Sequence, residues 1–173
     1  KVSIEHILPQ TPSKYYWQNQ YRQFTDEEVE MLAGAVGNLL PLSQSVNSSL
    51  QNDSFYDKKT TKAGRRGYEN GCHSEIEVAK YNDWTAENIY TRSKELLEFM
   101  ENRWEFSFNN EQLDKLVYVN FAVDGRTVPE ELPVPEEKPI QSKEDTDTHE
   151  YSSLDEQQKA FWVNFVKYCN DHD

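Results

Sequence analysis

The chain has 173 residues, a formal net charge of −13 and two cysteines. No apolar run approaches the roughly 18 residues that a membrane helix needs, and no signal peptide is recognisable. The cysteines have no CxxC spacing, which disfavours a disulfide framework and a cysteine-built zinc site. The chain starts at Lys1 rather than at Met, so we expect a fragment with one principal domain and a tail.

The negative charge is unevenly distributed along the chain. Residues 1–128 hold 14 Lys and Arg against 19 Asp and Glu, whereas residues 129–173 hold 4 against 12. The stretch KKTTKAGRR, from Lys58 to Arg66, carries five cations and no anion. Because phosphate binding depends on such local cations, the net charge does not exclude DNA as a partner.

The first predicted elements are a short strand and a capped helix. Residues 2–8 are apolar and β-branched enough to predict a strand that ends at Pro9. Thr25 and Glu28 have the spacing of a capping box, which predicts a helix over residues 26–36.

A second apolar stretch and three further helices follow. Residues 37–47 are apolar but contain a proline, and the next helix is expected to begin at Ser48 or Ser49 and to carry Leu50, Phe55 and Lys59. A short helix is predicted over residues 75–81, and Thr85 is predicted to cap a long amphipathic one. The apolar residues that recur at helical spacing in the long helix are Ile89, Leu96, Leu97, Met100 and Trp104.

The last third of the chain is predicted to pass from the main domain into a linker and a final helix. A helix is expected over residues 111–118, and residues 1–128 are predicted to form the main domain. Residues 129–152 are rich in proline and acid, which predicts a linker. Ser153 and Glu156 then begin a predicted final amphipathic helix over residues 153–173, the possible start of a further domain.

The stretch VSIEHILPQ places an acid and a histidine side by side in a strand that ends at proline. Phosphodiester hydrolysis needs a base that deprotonates water and a cation that neutralises phosphate charge. His6 can supply the base, while Glu5 can reach a metal around the end of the strand. Asn47 can add a second oxygen ligand, and oxygen ligands favour Mg²⁺ over Zn²⁺.

The order of these motifs resembles a known nuclease core. EHILP, then GNL at Gly37–Leu39, then Asn47 is similar to the ββα-metal core of HNH endonucleases. EHILPQ, the downstream tryptophan, GNLLPLSQSVNSSLQNDSFYDKK and the later W-x4-I-x2-R-x3-L resemble the C-terminal nuclease domain of GmrSD-type, type IV modification-dependent restriction enzymes. The resemblance covers about residues 2–105. It implies an α+β fold in which a small ββα-metal core is surrounded by α-helices.

The same resemblance implies a DNA endonuclease that nicks or cleaves phage or foreign modified DNA. His6 would be the general base, and Glu5 and Asn47 would bind Mg²⁺, or alternatively Mn²⁺. Asn38 would hold the active-site loop, and Lys59 would present a cation to the scissile phosphate. The cations expected to contact DNA are Lys58, Lys62, Arg65, Arg66 and Arg92.

The resemblance also implies partners and leaves alternatives open. Full-length relatives typically carry an N-terminal NTP-using, ParB-like domain, so we expect one in the same chain or in a partner subunit. We also expect a cytoplasmic location in a prokaryote, without membrane contact. The alternative function is a catalytically inactive HNH-like module that binds DNA or a partner, with an acidic autoinhibitory tail. Asn47 by itself would be an ordinary helix cap. Asn38 can equally be a turn residue, and Arg92 can equally form a structural ion pair.

Overall fold

The protein combines a two-stranded sheet with seven α-helices over residues 1–135, which are the residues that the computed structural model describes. The prediction of an α+β fold is confirmed. The strands are β1 (Val2–His6) and β2 (Leu39–Ser43). The helices are α1 (Tyr15–Gln20), α2 (Asp26–Gly34), α3 (Gln44–Leu50), α4 (Phe55–Lys59), α5 (His73–Ala79), α6 (Ala86–Trp104) and α7 (Asn110–Val117).

The carboxyl-terminal predictions fall largely outside the described residues. Residues 129–135 of the predicted linker contain no helix or strand. Residues 136–152 of that linker and the predicted helix over residues 153–173 lie outside the described part of the chain. Within residues 1–135, none of the helices is long and apolar enough to cross a bilayer.

The two strands pair antiparallel, with His6 opposite Leu39. A two-stranded sheet leaves one edge of each strand unpaired, which is why Pro41 is tolerated within β2. β1 ends at His6, earlier than predicted. The backbone N–H of Ile7 still donates to the carbonyl of Asn38, and the backbone pairing ends at Leu8, whose N–H donates to the side chain of Asn38 instead.

Two of the predicted helix starts are confirmed by their caps. The hydroxyl of Thr25 accepts a hydrogen bond from the backbone N–H of Glu28, whose carboxylate accepts one from the Thr25 N–H, so α2 begins with a complete capping box. Thr85 caps α6 in the same way with Asn88. α2 ends at Gly34, before the predicted residue 36, and a 3₁₀ turn at Val36–Asn38 leads into β2.

The helix after β2 differs from its prediction. It begins at Gln44 instead of Ser48, so Asn47 lies inside α3 and not at its start. The chain then breaks at Gln51, which has a positive φ of 42° and ends α3. The single predicted helix is therefore two helices, α3 and α4, and the turn at Gln51 separates them.

The core lies between the sheet, α4 and α6. Trp84 and Ile89 are fully buried, as expected of core residues, and the ring of Phe55 stacks on Trp84 at 5.5 Å. The 3₁₀ turn approaches α6 closely at Gly37, where a Cβ would lie 2.1 Å from the carbonyl oxygen of Ile89. Only glycine permits this approach, which places the start of β2 against α6.

Candidate active site

A cleft of about 460 Å³ opens where β1 ends and α3 passes. Its lining residues are Ile4, Glu5, His6, Pro9, Gln10, Thr11, Asn47, Gln51 and Asn52. The antiparallel strands and α3 thus bring the predicted base, His6, to one cavity with the predicted ligands Glu5 and Asn47. A larger cavity of about 920 Å³ shares Gln10 and Thr11 with this cleft, but none of the predicted site residues lines it.

His6 presents a neutral imidazole to the cleft. Partial burial lowers its pKa below the ordinary value of 6.5; the Glu5 carboxylate opposes this shift and the Lys58 ammonium adds to it. Neither ring nitrogen makes a hydrogen bond to another of residues 1–135. An imidazole that is unprotonated near neutral pH and has a free nitrogen can accept a proton from water.

Glu5 is only 3% exposed, and one of its oxygens is fully engaged. Oε1 accepts a hydrogen bond from Lys58 Nζ at 2.6 Å and another from the hydroxyl of Tyr68 at 2.9 Å. Oε2 makes no hydrogen bond within the described residues. The carboxylate is therefore both a member of a buried ion pair and a potential oxygen donor to the cleft.

The expectation that Lys58 contacts DNA is wrong. Its side chain is 0% exposed, and its ammonium donates to the backbone carbonyls of His6 at 3.1 Å and Ile7 at 3.0 Å as well as to Glu5. Burial lowers the pKa of Lys58, and the Glu5 carboxylate opposes that shift. A cation enclosed in this way cannot reach a phosphate on the surface.

Asn47 is tied to β1 through its amide nitrogen. Nδ2 donates to the hydroxyl of Ser3 and to the carbonyl of Ile4, each at 3.0 Å. Its Oδ1 makes no hydrogen bond within residues 1–135. The two bonds orient the side chain across the sheet, so the oxygen is available to a ligand in the cleft while the nitrogen is not.

The oxygen donors of the cleft suit a hard divalent cation. Besides Glu5 and Asn47, Asn52 has a buried Oδ1 without a hydrogen-bond partner, and its Nδ2 donates to the carbonyl of Thr11 at 2.7 Å. No group of three or more His, Cys, Asp or Glu side chains in the described part of the chain is arranged to hold a metal. Mg²⁺ commonly binds through one or two protein oxygens and several waters, so the donor set fits Mg²⁺ better than Zn²⁺.

Asn38, which was expected to hold the active-site loop, is a buried hydrogen-bonding residue. It is 0% exposed and does not line the cleft. Its Oδ1 accepts from the N–H of Leu8 at 2.8 Å and from Trp84 Nε1 at 3.0 Å, and its Nδ2 donates to the carbonyls of Leu8 and Ala33, each at 2.9 Å. These bonds hold the segment that follows His6.

Two further predicted site residues also lie away from the cleft. Arg92, expected to contact DNA, is buried, and its guanidinium donates to the carbonyls of Gly37 and Leu39 at the start of β2. Lys59, expected near the scissile phosphate, donates from Nζ to the carbonyl of Tyr81 at 2.9 Å. The guanidinium of Arg92 is buried against these backbone oxygens, so its prediction is corrected to a structural role. Lys59 is half-buried, and its contact with the scissile phosphate stays a prediction.

The remaining predicted DNA contacts lie in the loop between α4 and α5, and each is ion-paired. The pairs are Lys62 with Asp57, Arg65 with Asp53 and Arg66 with Glu75. Asp53 also pairs with Lys14, a cation that the sequence analysis did not single out. Neighbouring carboxylates thus offset much of the loop's positive charge, and DNA contact by this loop stays a prediction.

The burial of Lys58 has only a weak signal in the sequence. Phe55 and Lys58 are three positions apart, which places them on one face of a helix, and Phe55 belongs to the core. Lys59, four positions after Phe55, shares that face and is only half-buried, so the spacing alone does not identify Lys58 as the buried lysine. No comparable local pattern indicates Tyr68, which meets Glu5 across 63 positions of sequence.

The comparison with protein families decides the relationship. The model of the C-terminal domain of GmrSD restriction endonucleases matches residues 1–99, from β1 into α6. The chain belongs to this family. Membership in the GmrSD C-terminal domain family supports a restriction-type nuclease role with DNA as the substrate. Neither the comparison with curated proteins nor that with solved structures gave a match.

Proposed function

We propose that this GmrSD-type domain is a metal-dependent endonuclease of the HNH type that hydrolyses the phosphodiester backbone of phage or foreign modified DNA. The observation that carries the proposal is the convergence of His6, Glu5 and Asn47 on one cleft at the junction of β1, β2 and α3. Antiparallel strands followed by a helix that carries a ligand residue are the architecture expected of a ββα-metal core.

His6 is the proposed general base. Its lowered pKa keeps the imidazole unprotonated near neutral pH, and a free ring nitrogen can take the proton of an attacking water. The water oxygen forms a bond to phosphorus, the bond to the 3′ oxygen breaks, and that oxygen takes a proton from solvent water, so the products carry a 5′-phosphate and a 3′-hydroxyl. The proton that reaches His6 returns to solvent.

Glu5 and Asn47 are the proposed ligands of Mg²⁺, with Mn²⁺ as a substitute. Glu5 would contribute Oε2 and Asn47 would contribute Oδ1, the side-chain oxygens that have no hydrogen-bond partner within residues 1–135. When bound, the cation supplies positive charge that stabilises the phosphate and the departing oxygen. The hydrogen bonds from Asn47 Nδ2 to Ser3 and Ile4 keep the amide oriented before metal binds.

The test is DNA cleavage by wild type and by His6→Ala. Supercoiled plasmid and DNA with modified bases are incubated with Mg²⁺ or Mn²⁺, and nicked and linear products are quantified. We expect His6→Ala to lower the cleavage rate by about 10² to 10⁴, the usual contribution of a general base. His73→Ala is the matched control, because His73 is 91% exposed and lies outside the cleft.

Two outcomes would contradict the proposal. Equal cleavage by wild type and His6→Ala would remove His6 as the base. DNA binding without cleavage by wild type on either DNA would instead favour the alternative of a catalytically inactive DNA-binding module.

A further inference from the structure

A buried polar cluster lies directly beneath the cleft and joins three separate segments of the chain. It consists of Glu5 at the end of β1, Lys58 on α4 and Tyr68 after the following loop, and all three side chains are buried. Both donors meet the same carboxylate oxygen, Oε1, from Lys58 Nζ at 2.6 Å and from the Tyr68 hydroxyl at 2.9 Å. With two donors on Oε1, Oε2 is the oxygen that Glu5 can offer to a ligand.

The other two hydrogens of the Lys58 ammonium form hydrogen bonds with the backbone at and after the proposed base. They are donated to the carbonyls of His6 and Ile7, so all three ammonium donors have acceptors on one short segment. Lys58 therefore holds the Glu5 carboxylate and the backbone that carries the His6 imidazole from a single point. The relative position of these two groups depends on this one cation.

Tyr68 reaches Glu5 because the preceding loop approaches α4 without a side chain between them. A Cβ at Gly67 would lie 2.3 Å from the carbonyl oxygen of Lys59, so glycine is required for this contact. In this contact the Tyr68 hydroxyl is the donor and the Glu5 carboxylate is the acceptor.

We propose that Lys58 and Tyr68 are positioning residues of the metal site. They occupy Oε1 of Glu5 and direct Oε2 into the cleft, so they determine how tightly a divalent cation binds although neither touches it. The proposal rests on the proposed function, because it takes Glu5 as a metal ligand. Partners that orient ligands in this way commonly change metal affinity by about 10- to 100-fold when they are removed.

The test compares two variants that each remove one buried tyrosine hydroxyl. Tyr68→Phe removes the hydroxyl that donates to Glu5, and Tyr21→Phe removes a buried hydroxyl that donates to the carbonyl of Trp84 at 2.8 Å. Mn²⁺ binding is measured by titration calorimetry without DNA, and thermal unfolding is followed in parallel. We expect similar shifts in unfolding midpoint for both variants, but a loss of Mn²⁺ affinity of about tenfold in Tyr68→Phe alone.

Lys58→Gln extends the comparison if the variant folds, and we expect a larger loss of Mn²⁺ affinity than in Tyr68→Phe. The tyrosine pair decides the question if Lys58→Gln does not fold. Equal Mn²⁺ affinities in wild type and Tyr68→Phe, or no Mn²⁺ binding by wild type, would overturn the positioning proposal. Selective loss in Tyr68→Phe with no DNA cleavage by wild type would support the positioning role and refute the nuclease function.

Discussion

Two regions of this domain pair cations with carboxylates, and they do so in opposite environments. Beneath the cleft, Lys58 and Glu5 are 0% and 3% exposed, and every ammonium donor has a defined acceptor. In the loop between α4 and α5, Lys62 and Asp57 form a pair whose side chains are 49% and 33% exposed. Arg66 and Glu75 form a second loop pair, in which the arginine remains partly exposed.

The degree of burial determines what each kind of ion pair can do. Removing one member of a buried pair leaves an uncompensated charge in a medium of low dielectric, so such a pair fixes geometry. An exposed pair contributes little, because water and salt screen it, and its cation can exchange a carboxylate for a phosphate. The five cations that look alike in KKTTKAGRR therefore separate into structural and potentially DNA-binding ones.

The largest effect is expected from Lys58→Met. The change leaves the Glu5 carboxylate buried without its counterion, and we expect the free energy of unfolding to fall by about 3–5 kcal/mol. Lys62→Met, which breaks an exposed pair, should change it by about 0–1 kcal/mol. Urea denaturation followed by circular dichroism measures both variants.

A double variant sharpens the same contrast. Glu5→Gln combined with Lys58→Met removes both charges, so its unfolding free energy should lie closer to wild type than that of Lys58→Met alone. If the double variant loses as much unfolding free energy as Glu5→Gln and Lys58→Met lose together, the two residues act independently. That result would contradict the description of a buried ion pair.

The pH dependence of cleavage is expected to show the next effect. A general base works when it is unprotonated, so the rate should fall as pH drops through the pKa of His6. Since that pKa is lowered, the midpoint of the acid limb should lie below pH 6.5. The profile of kcat/KM at saturating Mg²⁺ checks this, and a midpoint above 6.5 would contradict the environment described for His6. Lys62→Met should leave the midpoint unchanged.

The smallest effect is expected from neutralising the loop. Changing Lys62 and Arg66 to Gln should weaken DNA binding without metal and make the plot of log affinity against log salt shallower by about 1–2 units. Internal ion pairs already offset part of this charge, which limits the change. The matched control changes two ion-paired surface cations elsewhere, Lys80 and Lys115. An equal decrease in both double variants would move the DNA path away from the loop.

The local features of the fold were predictable because they depend on neighbours in sequence. The capping box of Thr25 and Glu28 and the cap at Thr85 satisfy backbone groups within one helical turn, so residue types at fixed spacing reveal them. The start of α3 was missed because the side chain of its N-cap residue, Ser43, makes no capping hydrogen bond to the backbone of the helix, and because Ser43 also ends β2. Nothing in that segment distinguishes the last residue of a strand from the first of a helix.

The sequence identified residues of the candidate site only where the order of the motifs was informative. EHILP, GNL and Asn47 led to the residues that line the cleft or hold its walls. Lys58, Lys59 and Arg92 were expected to contact DNA from the resemblance and their charge, and neither reports how a side chain is buried. All three side chains donate to backbone carbonyls within the domain, and these contacts become visible only when the chain is folded.

The sequence by itself determined the α+β class, the family and the order of the residues that meet at the cleft, because these follow from local spacing and motif order. Only the tertiary structure decided which groups are free to react. Lys58 and Glu5 are 53 positions apart, and their pairing depends on how α4 packs under β1. The same packing engages Oε1 of Glu5 and Nδ2 of Asn47 in hydrogen bonds. It leaves Oε2 of Glu5 and Oδ1 of Asn47 without a hydrogen bond within residues 1–135.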